Sequence, residues 1–213
     1  MDRIAALSFD MEGTLVDNGY SRQIWEVDIP RLYGEARGLA FDDAKRKVMS
    51  EYASVGEGDA NWYDAGYWWR RLGLPGNWKN LPQSRKAYCR VYPEVPGVLE
   101  RLGRRYPLIV TSNTIREFLE VQLECVGYGF RRAFSAPSDF GEVKNSGKFY
   151  SRVLRELGLE PGSLVHVGDN RDFDYEAPRS IGVKSFHLDR TSAAGGAGVV
   201  RSLTEFESLL SGP

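Results

Sequence analysis

The chain has 213 residues, of which 42% are hydrophobic and 27% are charged, and its formal net charge is −1. This composition is ordinary for a globular domain, and a charge near zero gives no general attraction to nucleic acid or to an anionic membrane. No apolar run is long enough to span a bilayer, and the first residues do not resemble a signal peptide. Cys89 and Cys125 lack metal-like spacing, so we interpret them as buried free thiols in a reducing compartment. We expect a cytoplasmic protein that is a monomer or a homodimer.

The first predicted element is a buried strand at 4–9, which ends at Asp10. From residue 21 to about residue 90 the pattern predicts only helices, near 22–36, 41–55, 60–72 and 83–91, with turns at Gly38, "GEGD" and "GLPGN". This all-helical segment is too long for a plain crossover between two strands. It therefore predicts an inserted domain.

The rest of the chain alternates helices and strands. Helices are predicted at "EVPGVLERLGRRYP", "TIREFLEVQLECVG", "GKFYSRVLRELG" and "SLTEFESLL", and strands at "LIVTSN", "RAFSA", "SLVHVGDN" and "GVKSFHL". The low-complexity stretch 192–198 is predicted to be a loop. Because the β-runs are apolar throughout, the pattern indicates an α/β fold with a doubly wound parallel sheet, Rossmann-like, covered on both faces. We predict a core of residues 1–17 and 92–213 and a small all-helical cap domain, 18–91.

Polar side chains follow three of the predicted strands and precede one predicted helix: Asp10, Glu12, Thr111, Ser112, Asn113, Lys144, Lys148, Asp169, Asp172 and Asp174. In a parallel α/β sheet, ligands bind beyond the carboxyl ends of the strands, so we expect these groups to converge. Carboxylates from two strands form a hard-oxygen site suited to Mg²⁺. Lysine and serine beside them would bind the oxygens of a transferring phosphoryl group.

Four stretches, in this order, resemble the motifs of the haloacid dehalogenase-like (HAD) hydrolases: "FDMEGTLVD", "LIVTSN", the segment around Lys144 in "GEVKNSGKFYSRVLRELGL", and "VHVGDNRDFD". Each is weak alone, but four in order at strand ends or helix starts are a strong signal. The helical insert resembles the cap of the phosphoglycolate-phosphatase-like branch. The resemblance implies a Mg²⁺-dependent phosphatase that acts on a small phosphorylated metabolite. From the net charge and the lack of a long apolar run, we expect no nucleic acid or membrane partner.

The resemblance also implies a role for each motif residue. Asp10 would be the nucleophile that accepts the phosphoryl group, and Glu12 would be the general acid and then the general base. Asp10, the backbone carbonyl of Glu12 and Asp169 would bind Mg²⁺, while Asp174 would support the metal or orient the lysine. The substrate phosphoryl group would be bound by Ser112, Asn113 and Lys144.

The sequence departs from the common family pattern at two places. Most phosphatases of the family have Asp at position 12, although enolase-phosphatases have Glu, and true dehalogenases have an aromatic residue there. Glu12 therefore argues against dehalogenation. The common Lys-Pro is replaced by "KNSGK", so Lys148 is an alternative to Lys144 as the phosphate-binding lysine.

Other interpretations remain for several of these residues. Asn113 or Thr114 could be the N-cap of the following helix, and Asp172 fits a solvated turn better than a ligand. His166 fits a core histidine. The aromatic run "NWYDAGYWWRRLGLPGNW" is expected to pack the core of the cap, with Trp68 or Tyr63 as residues that could face the cleft. A dehalogenase-like or mutase-like relative is the alternative enzyme, and a non-enzymatic phosphoacceptor is the least favoured function.

Overall fold

A parallel six-stranded sheet forms the centre of the structure, a computed structural model that describes residues 4–191 and 195–210. The strands are β1 Ala6–Phe9, β2 Leu108–Ser112, β3 Arg132–Ser135, β4 Leu164–Gly168, β5 Lys184–Leu188 and β6 Val199–Val200. Their order is β3-β2-β1-β4-β5-β6, and every neighbouring pair is parallel. The predicted doubly wound parallel fold is thus confirmed, and its strand order reverses beside β1, where ligands of such sheets bind. Part of the predicted loop 192–198, residues 192–194, lies outside the described residues.

The helices are α1 Gly19–Arg22, α2 Ile29–Glu35, α3 Phe41–Val55, α4 Ala65–Arg71, α5 Leu81–Ser84, α6 Val95–Gly103, α7 Arg116–Val126, α8 Ala136–Phe140, α9 Gly147–Leu157, α10 Ala177–Arg179 and α11 Leu203–Leu210. Two segments, Gln23–Asp28 and Arg171–Glu176, have π-helical hydrogen bonding. None of the described helices is long and apolar enough to cross a membrane.

The sheet carries an apolar core on each face. Strands β1, β2 and β4 are buried at every residue, as expected for strands that helices cover on both sides. One core includes Phe9, Leu99 and Phe206, and the other includes Ile109 and Phe149. These two cores hold the central strands in place and thereby fix the positions of the residues that follow them.

Between β1 and α6 every described element is helical. This helical segment, 18–91, has its own apolar cluster, in which Tyr20, Val48 and Trp68 pack together with Phe118 of α7. Helix α3 has the predicted bounds, but the predicted helix 83–91 is wrong. Helix α5 ends at Ser84, because the chain must return toward the end of β1, where Val91 forms an isolated antiparallel bridge with Val16.

The chain leaves and re-enters the sheet at one place. The backbone N–H of Asp17 donates to Arg90 O at 2.9 Å, and that of Tyr92 donates to Leu15 O at 3.1 Å. These antiparallel contacts lie between the helical segment and the sheet. The division into a cap domain and a core domain stays a proposal.

Candidate active site

The carboxyl ends of β1 and β4 bring three carboxylates together. Phe9 and Val167 are partners in the parallel register, so the chain continues to Asp10 and Asp169 at the same edge of the sheet. Asp174 follows in the π-helical turn, where its Oδ2 accepts from the N–H of Asn170 at 3.0 Å. Ligand oxygens of Asp10, Asp169 and Asp174 all lie within 4.8 Å of one another. The predicted convergence therefore exists in the fold.

Two glycines make room for these carboxylates. A Cβ atom at Gly13 would lie 2.0 Å from Oδ2 of Asp169, and one at Gly168 would lie 2.3 Å from Cγ of Asp174. Real Cβ atoms do not approach other atoms so closely, and Gly13 also has a φ of +72°, which side-chain-bearing residues rarely adopt. The two glycines thus let the carboxylates of Asp169 and Asp174 lie close to the backbone. The resulting cluster of carboxylate oxygens fits a hard divalent cation.

Lys144 reaches this cluster from the loop between α8 and α9. Its buried ammonium donates to Asp10 Oδ1, to Asp174 Oδ1 at 2.6 Å and to the carbonyl of Thr111 at 3.1 Å. Lys148 behaves differently, since its side chain is 73% exposed and pairs with Glu142 at 3.3 Å. Of the two candidate lysines, the structure brings Lys144 to the carboxylates.

The charges of the cluster do not balance. Burial raises the pKa of Asp10 well above its ordinary value, and Lys144 opposes only part of that rise. Burial, helped by the charge of Asp174, raises the pKa of Asp169 to about 7. Burial also disfavours the charged forms of Asp174 and Lys144. The attraction between the ammonium and the carboxylates outweighs this effect, so the pKa of Asp174 is lowered and the pKa of Lys144 is raised. One ammonium faces three carboxyl groups, and a further cation would favour their ionised forms.

Ser112 and Asn113 lie at the end of β2 and are almost fully buried. Asn113 Oδ1 accepts from the backbone N–H of Lys144 at 2.9 Å, so it fixes the loop that carries the lysine. Ser112 Oγ accepts from the N–H of Thr114 at 3.1 Å. The N-cap interpretation of Asn113 or Thr114 is wrong, because the N-cap of α7 is Ile115 and it makes no side-chain capping bond.

The Glu12 side chain forms its hydrogen bonds outside the carboxylate cluster. Its Oε1 accepts hydrogen bonds from Ser21 Oγ, in α1, and from Gln122 Nε2, in α7. Burial raises the pKa of Glu12, and these two hydrogen bonds counteract it in part. The metal ligand expected at position 12 is the backbone carbonyl, which stays a prediction.

A cavity of about 450 Å³ lies over these groups, lined by motif residues and by side chains of the helical segment. Trp25, Trp62 and Tyr63 are among the aromatic residues of its wall. Trp68 is instead fully buried and donates its Nε1–H to Trp62 O at 2.9 Å. Of the two aromatic residues expected at the cleft, Tyr63 lines it, while Trp68 belongs to the core of the helical segment.

The sequence reasoning missed Ser21 and Gln122. Gln122 follows Phe118 by four positions and Leu119 by three, so it falls on the apolar face of its helix. A polar side chain on the apolar face of a helix was the feature of the sequence that could have indicated Gln122.

Two other predictions concern Asp172 and His166. Asp172 behaves as a solvated turn residue, because it is exposed and its N–H donates to Asn170 Oδ1 at 3.0 Å. His166 is a buried core histidine.

The family model for haloacid dehalogenase-like hydrolases matches residues 4–182. The chain belongs to this family of hydrolases. The GMP/IMP nucleotidase YrfG of Escherichia coli is 32% identical to it over 162 residues, which are 76% of this chain and 72% of that protein. The family resemblance of the four motifs is thereby confirmed.

Solved structures share the fold at lower identity. A HAD phosphatase from Thermococcus onnurineus superposes with a TM-score of 0.83 at 21% identity, covering 98% of this chain and 99% of that one. A 2-haloacid dehalogenase from Pseudomonas syringae superposes with a TM-score of 0.61 at 17% identity, covering 98% of each chain. Phosphatases and dehalogenases are thus both among its structural neighbours. The fold therefore does not indicate which of the two reactions the chain catalyses, and this must be inferred from the residues of the site.

Proposed function

We propose that this hydrolase is a phosphatase that cleaves a small phosphomonoester through an aspartyl-phosphate on Asp10. The observation that carries the proposal is the pairing of Asp10 with Lys144 below a cavity into which Glu12 also faces. The first carboxylate is a nucleophile beside a fixed positive charge, and the second is a separate carboxyl group available for proton transfer. The nucleotidase relative supports the same reaction class.

In the first step, an Asp10 carboxylate oxygen attacks phosphorus, and the bond from phosphorus to the ester oxygen breaks. Glu12 gives its proton to the departing alcohol, and Lys144 stabilises negative charge on the phosphoryl oxygens together with the Ser112 hydroxyl. In the second step, water attacks the aspartyl-phosphate while Glu12 takes its proton. The bond from Asp10 to phosphorus breaks, and inorganic phosphate leaves with Asp10 restored.

The proposed cofactor is Mg²⁺, held by Asp10, Asp169 and the carbonyl of Glu12, with Asp174 supporting the site. The all-oxygen donor set fits this ion, and Gly13 lets the Asp169 carboxylate take its place in that set. When bound, it would neutralise the excess carboxylate charge and withdraw electron density from the phosphoryl group.

The helical segment 18–91 is proposed to act as a cap that selects the substrate. Its residues Trp25, Trp62 and Tyr63 line the same cavity as the carboxylates, and aromatic rings there could stack on a flat group. Together with the nucleotidase relative, this favours purine nucleoside monophosphates among the small phosphorylated metabolites. We further propose a cytoplasmic enzyme, which is consistent with its two free cysteines, both half-buried rather than buried as predicted.

A dehalogenase is the less favoured alternative. The likeness to haloacid dehalogenases is one of fold, whereas a carboxyl group at position 12 has a task in phosphate-ester hydrolysis. Displacement of a halide needs no proton donor for its leaving group, so Glu12 would have no comparable role.

The test is phosphate release from a panel of nucleoside monophosphates, sugar phosphates and phosphoglycolate with Mg²⁺, alongside 2-haloacids. The wild type should act on at least one phosphomonoester, and Asp10→Asn should lose several orders of magnitude in rate. Asp172→Asn is the matched control, because this exposed aspartate lies in a turn of the same region. More than about a tenth of wild-type activity in Asp10→Asn would exclude the nucleophile role.

A further inference from the structure

Gln122 is a completely buried residue in α7, and only one of the two polar atoms of its side-chain amide forms a hydrogen bond within the described part of the chain. Its Nε2 donates to Glu12 Oε1, while its Oε1 has no hydrogen-bond partner among the described residues. Its helical neighbours Phe118 and Leu119 are buried apolar residues. An unpaired buried carbonyl oxygen lowers the stability of a fold. An apolar side chain of similar length would be better for packing alone, so the amide group requires another explanation.

The contact partner of Gln122 supplies that explanation. Ser21 Oγ donates to the same Glu12 oxygen, Oε1, from the first helix of the helical segment. Glu12 Oε2 accepts no hydrogen bond within the described residues, and Glu12 lines the cavity. With two donors on Oε1, a protonated Glu12 carries its proton on Oε2, the oxygen that is free to meet a leaving group.

We propose that Ser21 and Gln122 are positioning residues that orient the Glu12 carboxyl group for proton transfer. This inference rests on the proposed phosphatase function and assigns to it two residues outside the four motifs. Glutamate has one more rotatable bond than aspartate, so its carboxyl group can occupy more positions unless neighbours restrict it. Two donors from different elements, α1 and α7, remove that freedom. Preorganised geometry of this kind contributes directly to the rate of proton transfer.

The experiment compares kcat/KM for an alkyl phosphate and for p-nitrophenyl phosphate in Gln122→Met and Ser21→Ala. The alkyl leaving group needs protonation and the nitrophenolate needs little. We expect kcat/KM to fall about 10- to 100-fold for the alkyl phosphate and less than about threefold for p-nitrophenyl phosphate. Ser21→Thr, which keeps the hydroxyl donor, should restore most of the alkyl phosphate rate.

Matched controls come from two exposed residues of α5. Gln83→Met and Ser84→Ala make the same chemical changes away from Glu12 and should leave both rates at the wild-type level. The thermal midpoint of Gln122→Met should equal or exceed that of the wild type, because the unpaired carbonyl oxygen is removed.

An equal loss on both substrates, or no loss on either, would overturn the positioning role. So would a lower thermal midpoint with an unchanged ratio of the two rates, which would make Gln122 a structural residue. The proposed function fails separately, if the wild type hydrolyses neither ester or if Asp10→Asn keeps its activity. If the wild type is active, Asp10→Asn is inactive and Gln122→Met behaves like the wild type, the phosphatase stands and this inference alone is wrong.

Discussion

The Lys144 ammonium lies 2.6 Å from Oδ1 of Asp174, and both side chains are almost completely buried. Asp174 is itself held by His166 Nε2 at 3.0 Å and by the N–H of Asn170 at 3.0 Å. The ammonium therefore has a fixed position when it donates to Asp10. A lysine oriented in this way serves both the fold and the proposed reaction.

Lys144→Met should lose activity and stability together. The change leaves Asp10 and Asp174 buried without their positive partner, which typically costs about 3–5 kcal/mol of unfolding free energy. Phosphate release should fall by about two to three orders of magnitude, the range for removing a preorganised donor. Lys148→Met is the control, and its stability should stay within about 0.5 kcal/mol of wild type because its side chain is exposed. Loss of activity in Lys148→Met, with Lys144→Met still active, would reverse the assignment.

Gly13→Ala should weaken the metal site. Its methyl group would meet Asp169 Oδ2, so the Asp169 carboxylate must leave its present position. The Mg²⁺ concentration needed for half-maximal activity should rise about 10- to 100-fold, as for other changes that displace metal ligands. Gly38→Ala is the matched control, since Gly38 has a φ of +62° and open space around it. In both variants the free energy of unfolding should fall by about 1 kcal/mol, because alanine disfavours a positive φ. An unchanged Mg²⁺ requirement in Gly13→Ala would contradict the proposed site.

Removal of divalent cations should abolish turnover. After treatment with excess EDTA and desalting, activity should return with Mg²⁺, whereas Ca²⁺ should bind and inhibit because its larger and looser coordination shell misplaces the Asp10 carboxylate. Isothermal titration of both ions separates binding from activation. Full activity in EDTA would remove the metal from the mechanism and raise the dehalogenase alternative.

Glu12→Gln should separate the two chemical steps. Alkyl phosphates should lose far more rate than p-nitrophenyl phosphate, since only they need a proton donor, and general acid–base support is typically worth about 10²–10⁴-fold. Loss of the base should also slow the second step, so a burst of nitrophenol and a trapped phosphoenzyme on Asp10 are expected. Glu12→Asp should keep measurable activity, with a loss on the order of 10²-fold for a carboxyl group displaced by about 1 Å. Wild-type turnover of alkyl phosphates in Glu12→Gln, with no trapped intermediate, would exclude the acid–base role.

The position of the site was predictable because parallel strands bring their carboxyl ends to one edge. Asp10 and Asp169 directly follow buried apolar runs, so their approach could be inferred from the sequence. The contact of Gln122 with Glu12 could not, because it depends on how α7 packs beside the turn that follows β1. The same limit applies to the helix predicted at 83–91. Local propensity there gives no sign that Val91 must lie beside Val16.

The antiparallel bridge between Val16 and Val91 has an evolutionary consequence. The two ends of the segment 18–91 lie side by side, so the sheet requires of this excursion only that it begin and end at neighbouring points. A longer, shorter or differently folded excursion can satisfy that condition at little entropic cost, since loop closure depends weakly on length. Asp10 and Lys144 would keep their places through such an exchange, because they are positioned by the sheet and its own loops. Under the proposed function, this architecture would let substrate recognition diversify in one stretch of the gene while the proposed reacting groups are inherited unchanged.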